Sequence, residues 1–168
     1  RQRTRDAMLR KARAGHVTGG RVFGYDNVDI VGPDGARSHV ERRVNEAEAD
    51  VIRLIFSLSA NGLGTKAIAK QLNEAGAPSP RPQQGRPRSW SPSSVWEVLH
   101  RPLYRGELVW ARTQKREKWG RTHQTARPET DWIRQEAPAL RIVSEAQWTA
   151  THRRLEAARD RYSKAVQG

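Results

Sequence analysis

The 168-residue sequence contains no cysteine, which excludes a disulfide framework and any thiolate zinc site within the chain. Its five histidines, His16, His39, His100, His123 and His152, are scattered and predict no shared metal ion. No apolar run is long enough to cross a bilayer and no signal peptide is visible. The cytoplasm is therefore the expected compartment, with no membrane partner. Catalytic signatures are missing too. There is no nucleophile elbow, phosphate-binding glycine loop, HExxH helix or pair of acids with a base nearby. Serines and histidines are present, but none has the local setting of a triad. No chemistry and no cofactor are expected of this stretch of chain.

Positive charge is what the chain has in excess. It carries 31 Lys+Arg against 18 Asp+Glu, a formal net charge of +13, with a pI near 11.2. A solubilising surface needs far less, and of mixed sign. A polyanionic partner explains the excess, because neutralised phosphates release condensed counterions whatever the base sequence. Arg outnumbers Lys, which suits forked contacts to phosphate and guanine. The charge is also unevenly placed. Residues 1–21 hold seven basic side chains against Asp6, and residues 81–127 hold eleven against three Glu. Residues 22–80, with six basic and eight acidic side chains, are near neutral. Two gripping stretches around a scaffold are the expected arrangement.

The length fits one domain, or two small lobes, with a modest core. Residues 1–14 read as a helix stopped at Gly15. That pattern is already running at Arg1, so the helix is expected to continue upstream. Residues 15–20 carry three glycines and predict an extended linker. Residues 22–31 and 38–44, around Gly32-Pro33-Asp34-Gly35, predict a β-hairpin. Asn45 and Glu48 are spaced for a reciprocal helix cap, ahead of a stripe of Val51, Ile52, Ile55, Phe56 and Leu58. A second helix over 65–75 presents Ile68, Ala69 and Leu72. After a proline-rich loop, a third starts at Ser91-Pro92 and runs through Val95, Val98 and Leu99. Residues 106–112 read as a strand and 113–131 as a basic loop. Ser144 and Gln147 open a last helix, with Val143 and Trp148 placed as a hydrophobic staple. The fold class expected is mainly α with small β elements, an α+β chain around a three-helix core.

The second and third helices form the pattern of a helix-turn-helix, expanded because roughly fifteen residues separate them instead of three or four. The outward face of the third helix would hold Ser93, Ser94, Glu97 and Arg101. Small hydroxyls near a helix start allow close approach to a duplex, and a glutamate can accept from cytosine. The same Ser91 and Ser94 can equally serve as helix caps, and Glu97 can simply be solvated. Arg81, Arg86 and Arg88 sit in a stiff basic loop suited to tracking a backbone, or to nothing more than solubility. In 112–127 Trp119 lies among Arg112, Lys115, Arg116, Lys118, Arg121 and Arg127. That mixture fits a groove-entering or base-stacking hairpin, or a loop ordered only by its ligand. Trp90, Trp96, Trp110, Trp132 and Trp148 fall in patterned segments and read mostly as core.

Three runs in this order, GHVTGGRVFGYD (15–26), NEAEADVIRLIFSLSANGLGTKAIAKQLNEAGAPSP (45–80) and WSPSSVWEVLHRPLYRGELVW (90–110), resemble the recombinase domain of large serine recombinases, the serine integrases and related transposases. The closing LRIVSEAQWTATHRRLEAA (140–158) resembles the segment before that family's zinc ribbon. The resemblance implies a division into 1–21, the end of a long inter-domain helix plus a minor-groove linker; 22–131, the DNA-binding domain; and 132–168, leading towards a zinc ribbon. It implies double-stranded DNA at an attachment site as the partner, a serine nucleophile in a catalytic domain with no counterpart here, and self-association through that domain and the long helix. The contact set expected is Arg13, His16, Thr18 and Arg21 in the linker, Arg86 and Arg88 in the loop, Ser91, Ser93, Ser94, Glu97, Arg101 and Arg105 in and after the third helix, and Lys115, Arg116 and Lys118 beyond. Against this stand a free-standing helix-turn-helix regulator, which would need a dimerisation surface, an RNA-binding basic protein, and a nuclease, which would need a metal-binding cluster.

Overall fold

In a computed structural model the chain is described over residues 7, 10–11, 13–17, 19–82, 85, 88–118 and 121–167; for 114–118, 121–123, 166 and 167 the description is of the backbone. Strands β1 (Tyr25–Val31) and β2 (Arg37–Val44) pair antiparallel, with Tyr25 opposite Val44. Helices α1 (Glu46–Ala60) and α2 (Thr65–Glu74) follow, then α3 (Pro92–Leu99). A 3₁₀ turn, Pro102–Arg105, leads into β3 (Glu107–Trp110), which pairs with β6 (Ile133–Glu136). Between those partners runs a second hairpin, β4 (Thr113–Lys118) and β5 (Arg121–Ala126). Helix α4 (Glu145–Gln167) closes the chain. Residues 7, 10, 11 and 13 are helical, as expected; the rest of the expected N-terminal helix before Ala14 lies outside the described residues.

The three ribbons are separate two-stranded sheets, so the helices must supply the core. They do so through the predicted stripes. Val51, Ile52, Ile55 and Phe56 of α1, Ile68, Ala69 and Leu72 of α2, and Val95, Val98 and Leu99 of α3 are buried together. Each large apolar side chain so buried contributes roughly 1.5–3 kcal/mol. The same cluster takes in Phe23 and Tyr25 at one end of the chain and Val143 and Trp148 at the other. Tyr25 and Tyr104 stack with centroids 6.0 Å apart. The Tyr25 hydroxyl donates to the Leu140 carbonyl at 2.7 Å and lies 3.1 Å from that of Leu103, while Tyr104 donates to Phe23 at 2.9 Å. Burial pushes both phenols well above their ordinary range, so they act as neutral donors.

Helix ends follow the cap chemistry with one change. Asn45 Oδ1 accepts from Glu48 N at 3.2 Å, but the return bond is not made by Glu48. Asn45 N donates to Gly24 O at 2.9 Å. Gly24, at φ +93°, passes so close to α1 that a Cβ there would fall 2.4 Å from Ile52 Cδ1. Ser144 Oγ accepts from Gln147 N at 3.2 Å, opening α4. Arg154 of α4 donates to the carbonyls of Gly62 and Leu63, tying it to the end of α1. The segment read as a basic loop is largely the β4–β5 hairpin, whose charged strands carry no apolar alternation to reveal them.

Candidate nucleic-acid interface

The connection between α2 and α3 is long, yet the two helices are held as a unit. Asn73 near the end of α2 accepts from Trp90 N at 2.8 Å and donates from Nδ2 to Trp90 O at 2.9 Å. Trp90 Nε1 donates to Pro78 O at 3.0 Å, and its ring meets Phe23 edge-on at 5.3 Å. One asparagine and one buried tryptophan thus hold the two helices together across the long connection.

The start of α3 is fixed by hydroxyls. Ser91 Oγ accepts from Ser94 N at 3.1 Å and lies 2.9 Å from Ser93 Oγ and 2.8 Å from Ser94 Oγ, with Pro92 at the first helical position. Ser91 and Ser94 are half-buried, whereas Ser93 and Glu97 are exposed. Glu97 pairs with Arg101 one turn on, at 2.9 Å.

This edge of α3 forms one wall of a cleft of about 470 Å³ whose lining includes Arg21, Phe23, Arg81, Ser94, Glu97 and Arg101. Arg21 and Arg81 also line a neighbouring cleft of about 600 Å³ that reaches Arg88 and Glu48. Linker, proline-rich loop and α3, far apart in sequence, therefore converge on one basic surface. Arg21 is held rather than loose. Its Nη2 lies 2.8 Å from Glu48 Oε1 and 3.0 Å from Asp26 Oδ1. The hydrogen bond to Glu48 raises its guanidinium pKa against a smaller effect of burial, and its bond to Asp26, with one from Asn45, holds that carboxyl below the usual range. Arg42 of β2, near enough to feel the Arg101 charge, has its Nε buried with no hydrogen-bond partner. Burial lowers its guanidinium pKa, and the nearby Arg101 charge adds to this.

The expected contact residues fall into three groups. Arg21, Arg88, Ser91, Ser94, Glu97 and Arg101 lie in or beside the two clefts, with Ser93 on the exposed edge of α3. Arg13 is exposed on the N-terminal helical segment, and His16 stacks on His39 of β2 at 4.0 Å, where Val17 N also donates to Val40 O. Arg105 is elsewhere, bonded to Glu107 at 2.6 Å and Glu145 at 3.4 Å and set over the Trp148 ring. Burial alone would raise the Glu107 carboxyl, but Arg134 and Arg105 hold it below its usual range. Thr18 and Arg86 lie outside the described residues; Lys115, Arg116 and Lys118 are on β4, their side chains not described. Two arginines near this site differ in how far the sequence announces them. Arg81 reads, with Arg86 and Arg88, as part of a stiff basic loop suited to tracking a backbone or simply to solubility. Arg42 is given away by strand period alone, since it shares a face of β2 with Val40 and Val44. The tryptophans also divide: Trp90 and Trp148 are core, Trp110 and Trp132 half-buried, and Trp96 is 53% exposed.

A family model described as Recombinase matches residues 46–158. Comparison with curated proteins gives no match. Among solved structures, a crystal structure of an LSR–DNA complex is similar over 92% of this chain and 38% of its own, with a TM-score of 0.57 and 18% identity. Another, concerned with the sequence requirements of the Listeria innocua prophage attP site, is similar over 92% of this chain and 51% of its own, with a TM-score of 0.56 and 18% identity. The chain thus spans about half or less of the length of these neighbours, and shares their fold.

Proposed function

Because the chain belongs to the Recombinase family, we propose that it binds double-stranded DNA at attachment sites, as the recognition part of a serine site-specific recombinase. The observation that carries this reading is the convergence of Arg21, Arg81 and Arg101 with Ser94 and Glu97 around one cleft beside the exposed edge of α3. In this reading α2 and α3 act as an expanded helix-turn-helix, with α3 entering the major groove, where base pairs are distinguishable by their edges. Arg13 and its linker neighbours follow the minor groove, and Arg88 with the β4 cations contacts phosphates. Recognition is this chain's share of the work. Strand cleavage and self-association belong to other parts of the parent protein.

The test is a binding selection on randomised duplexes, followed by titration of the selected duplex, a scrambled duplex and a structured RNA at several salt concentrations. The selected duplex is expected to win. With about six to ten phosphate contacts, its affinity falls roughly three to five decades between 50 and 200 mM salt. No covalent protein–DNA adduct should form. A logarithmic salt slope of about two or less, equal binding to the RNA, or an adduct made by this chain alone would each overturn part of the proposal.

A further inference from the structure

Among the described tryptophans, Trp96 is the exposed one. A single surface aromatic means little by itself. This one is the tip of a built column. His100, one turn on, stacks on its ring at 4.1 Å and an interplanar angle of 20°. The Nδ1 of His100 lies 2.8 Å from Trp96 O, which orients the imidazole. His100 meets His152 of α4 edge-on at 5.6 Å, and His152 stacks on Trp148 at 4.1 Å. Trp148 is part of the core and carries Arg105 over its ring at 5.4 Å. Four rings therefore run from the surface of α3 into the body, and the indole at their end is ordered before any ligand arrives. An aromatic group fixed in this way binds without the usual loss of rotamer freedom.

Its place on α3 decides what it faces. Trp96 is three residues after Ser93 and next to Glu97, so the three share the exposed side of the helix. A duplex that meets Ser93 and Glu97 meets the indole as well, and Arg101 and Arg81, in the cleft on the far side of Glu97 from Trp96, favour a polyanion along this edge of α3 over an apolar protein surface. An indole face offers no hydrogen bonds. Within the major groove the apolar feature that distinguishes a base pair is the 5-methyl group of thymine. We propose that Trp96, presented by the Trp96–His100–His152–Trp148 column, packs on thymine 5-methyl groups in the major groove and sets a preference for thymine in the bound site. This rests on the DNA-binding reading above and deepens it.

The experiment replaces each thymine of the selected duplex in turn with deoxyuridine, which removes the methyl group and leaves base pairing intact. With the whole chain, one or two positions should lose about fourfold in affinity each, the equivalent of one buried methyl group. Trp96→Ala should bind the thymine duplex about as weakly as the parent binds the uracil duplex, with no further loss on substitution. Trp96→Phe keeps an aromatic face and should retain part of the thymine preference, and His100→Ala, which frees the indole, should blunt it. If the parent tolerates uracil at every position, or if Trp96→Ala stays as sensitive as the parent, the inference fails while duplex binding stands. If no duplex is preferred at all, the DNA-binding reading fails and takes this one with it. Retained preference in Trp96→Ala together with capture of a protein through the indole would also overturn it.

Discussion

Glu48 does more for this fold than a first-turn carboxylate ordinarily does. One of its oxygens takes the Arg21 guanidinium and the other accepts from Gly24 N at 2.7 Å. It can do both because the bond back to its own cap is made by Gly24 O instead. The spacing of Asn45 and Glu48 made the cap legible, but only half of it formed as the local pattern dictates. The other half is made by Gly24 O, in the segment before β1, which no local window around the cap contains. Glu48→Gln keeps the shape and one acceptor while removing the charge. It should cost about 1.5–3 kcal/mol in urea denaturation, the range for a hydrogen bond to a charged group. Arg21→Ala should cost less, since Arg21 is 43% exposed and its pairs are partly screened. Equal losses for both would place the carboxylate's value in the ion pair alone and not in Gly24.

Among the elements, the helices were legible from their buried stripes, and three of the four also carry a start signal, Asn45, Ser91-Pro92 and Ser144, whereas α2 begins at Gly64 with no side-chain cap. The β4–β5 hairpin was not, because it pairs with itself as a separate two-stranded sheet and needs no apolar face. At its base Trp132 lies between Arg112, 5.0 Å from the ring, and Arg134, 5.3 Å away, and donates to Arg127 O. Trp132→Ala should loosen this arm, seen as faster amide exchange across β4 and β5 with little change in protection of α1. Unchanged exchange in the arm would show that the tryptophan does not anchor it. The contact between α3 and α4 carries its own pH dependence. Burial holds His152 below its ordinary value of 6.5, helped by the neighbouring His100 and Arg105 and opposed by Trp148 O and Glu156. A depressed histidine gives stability that is present above the unfolded pKa and lost as pH falls through the folded one. The melting temperature should therefore drop as pH falls below about 6.5. His152→Gln should flatten that segment and leave the steeper loss among carboxylates below about pH 4.5.

For the whole molecule, the charge excess implies a polyanionic partner before any element is placed, and the fold brings members of both basic stretches, Arg21 with Arg81, Arg88 and Arg101, to two neighbouring clefts. Charge could not say which arginines would face outward. Arg105 belongs to an ion-paired joint with Glu107 and Glu145, and the Arg42 Nε is buried without a hydrogen-bond partner. Nothing in the residue type marks either one, and only tertiary packing separates them from Arg81 and Arg101. The Arg21 anchorage has one more consequence, a mechanical one. Val17 is pinned to β2 by its bond to Val40 O, and Arg21 is riveted to the first turn of α1 through Glu48 and to β1 through Asp26. A pull arriving along the chain from Arg13 would take up the slack at Val17 first and then load α1 and β1 together. Because α1 shares its buried core with α2 and α3, that load would reach the inner face of α3 as well.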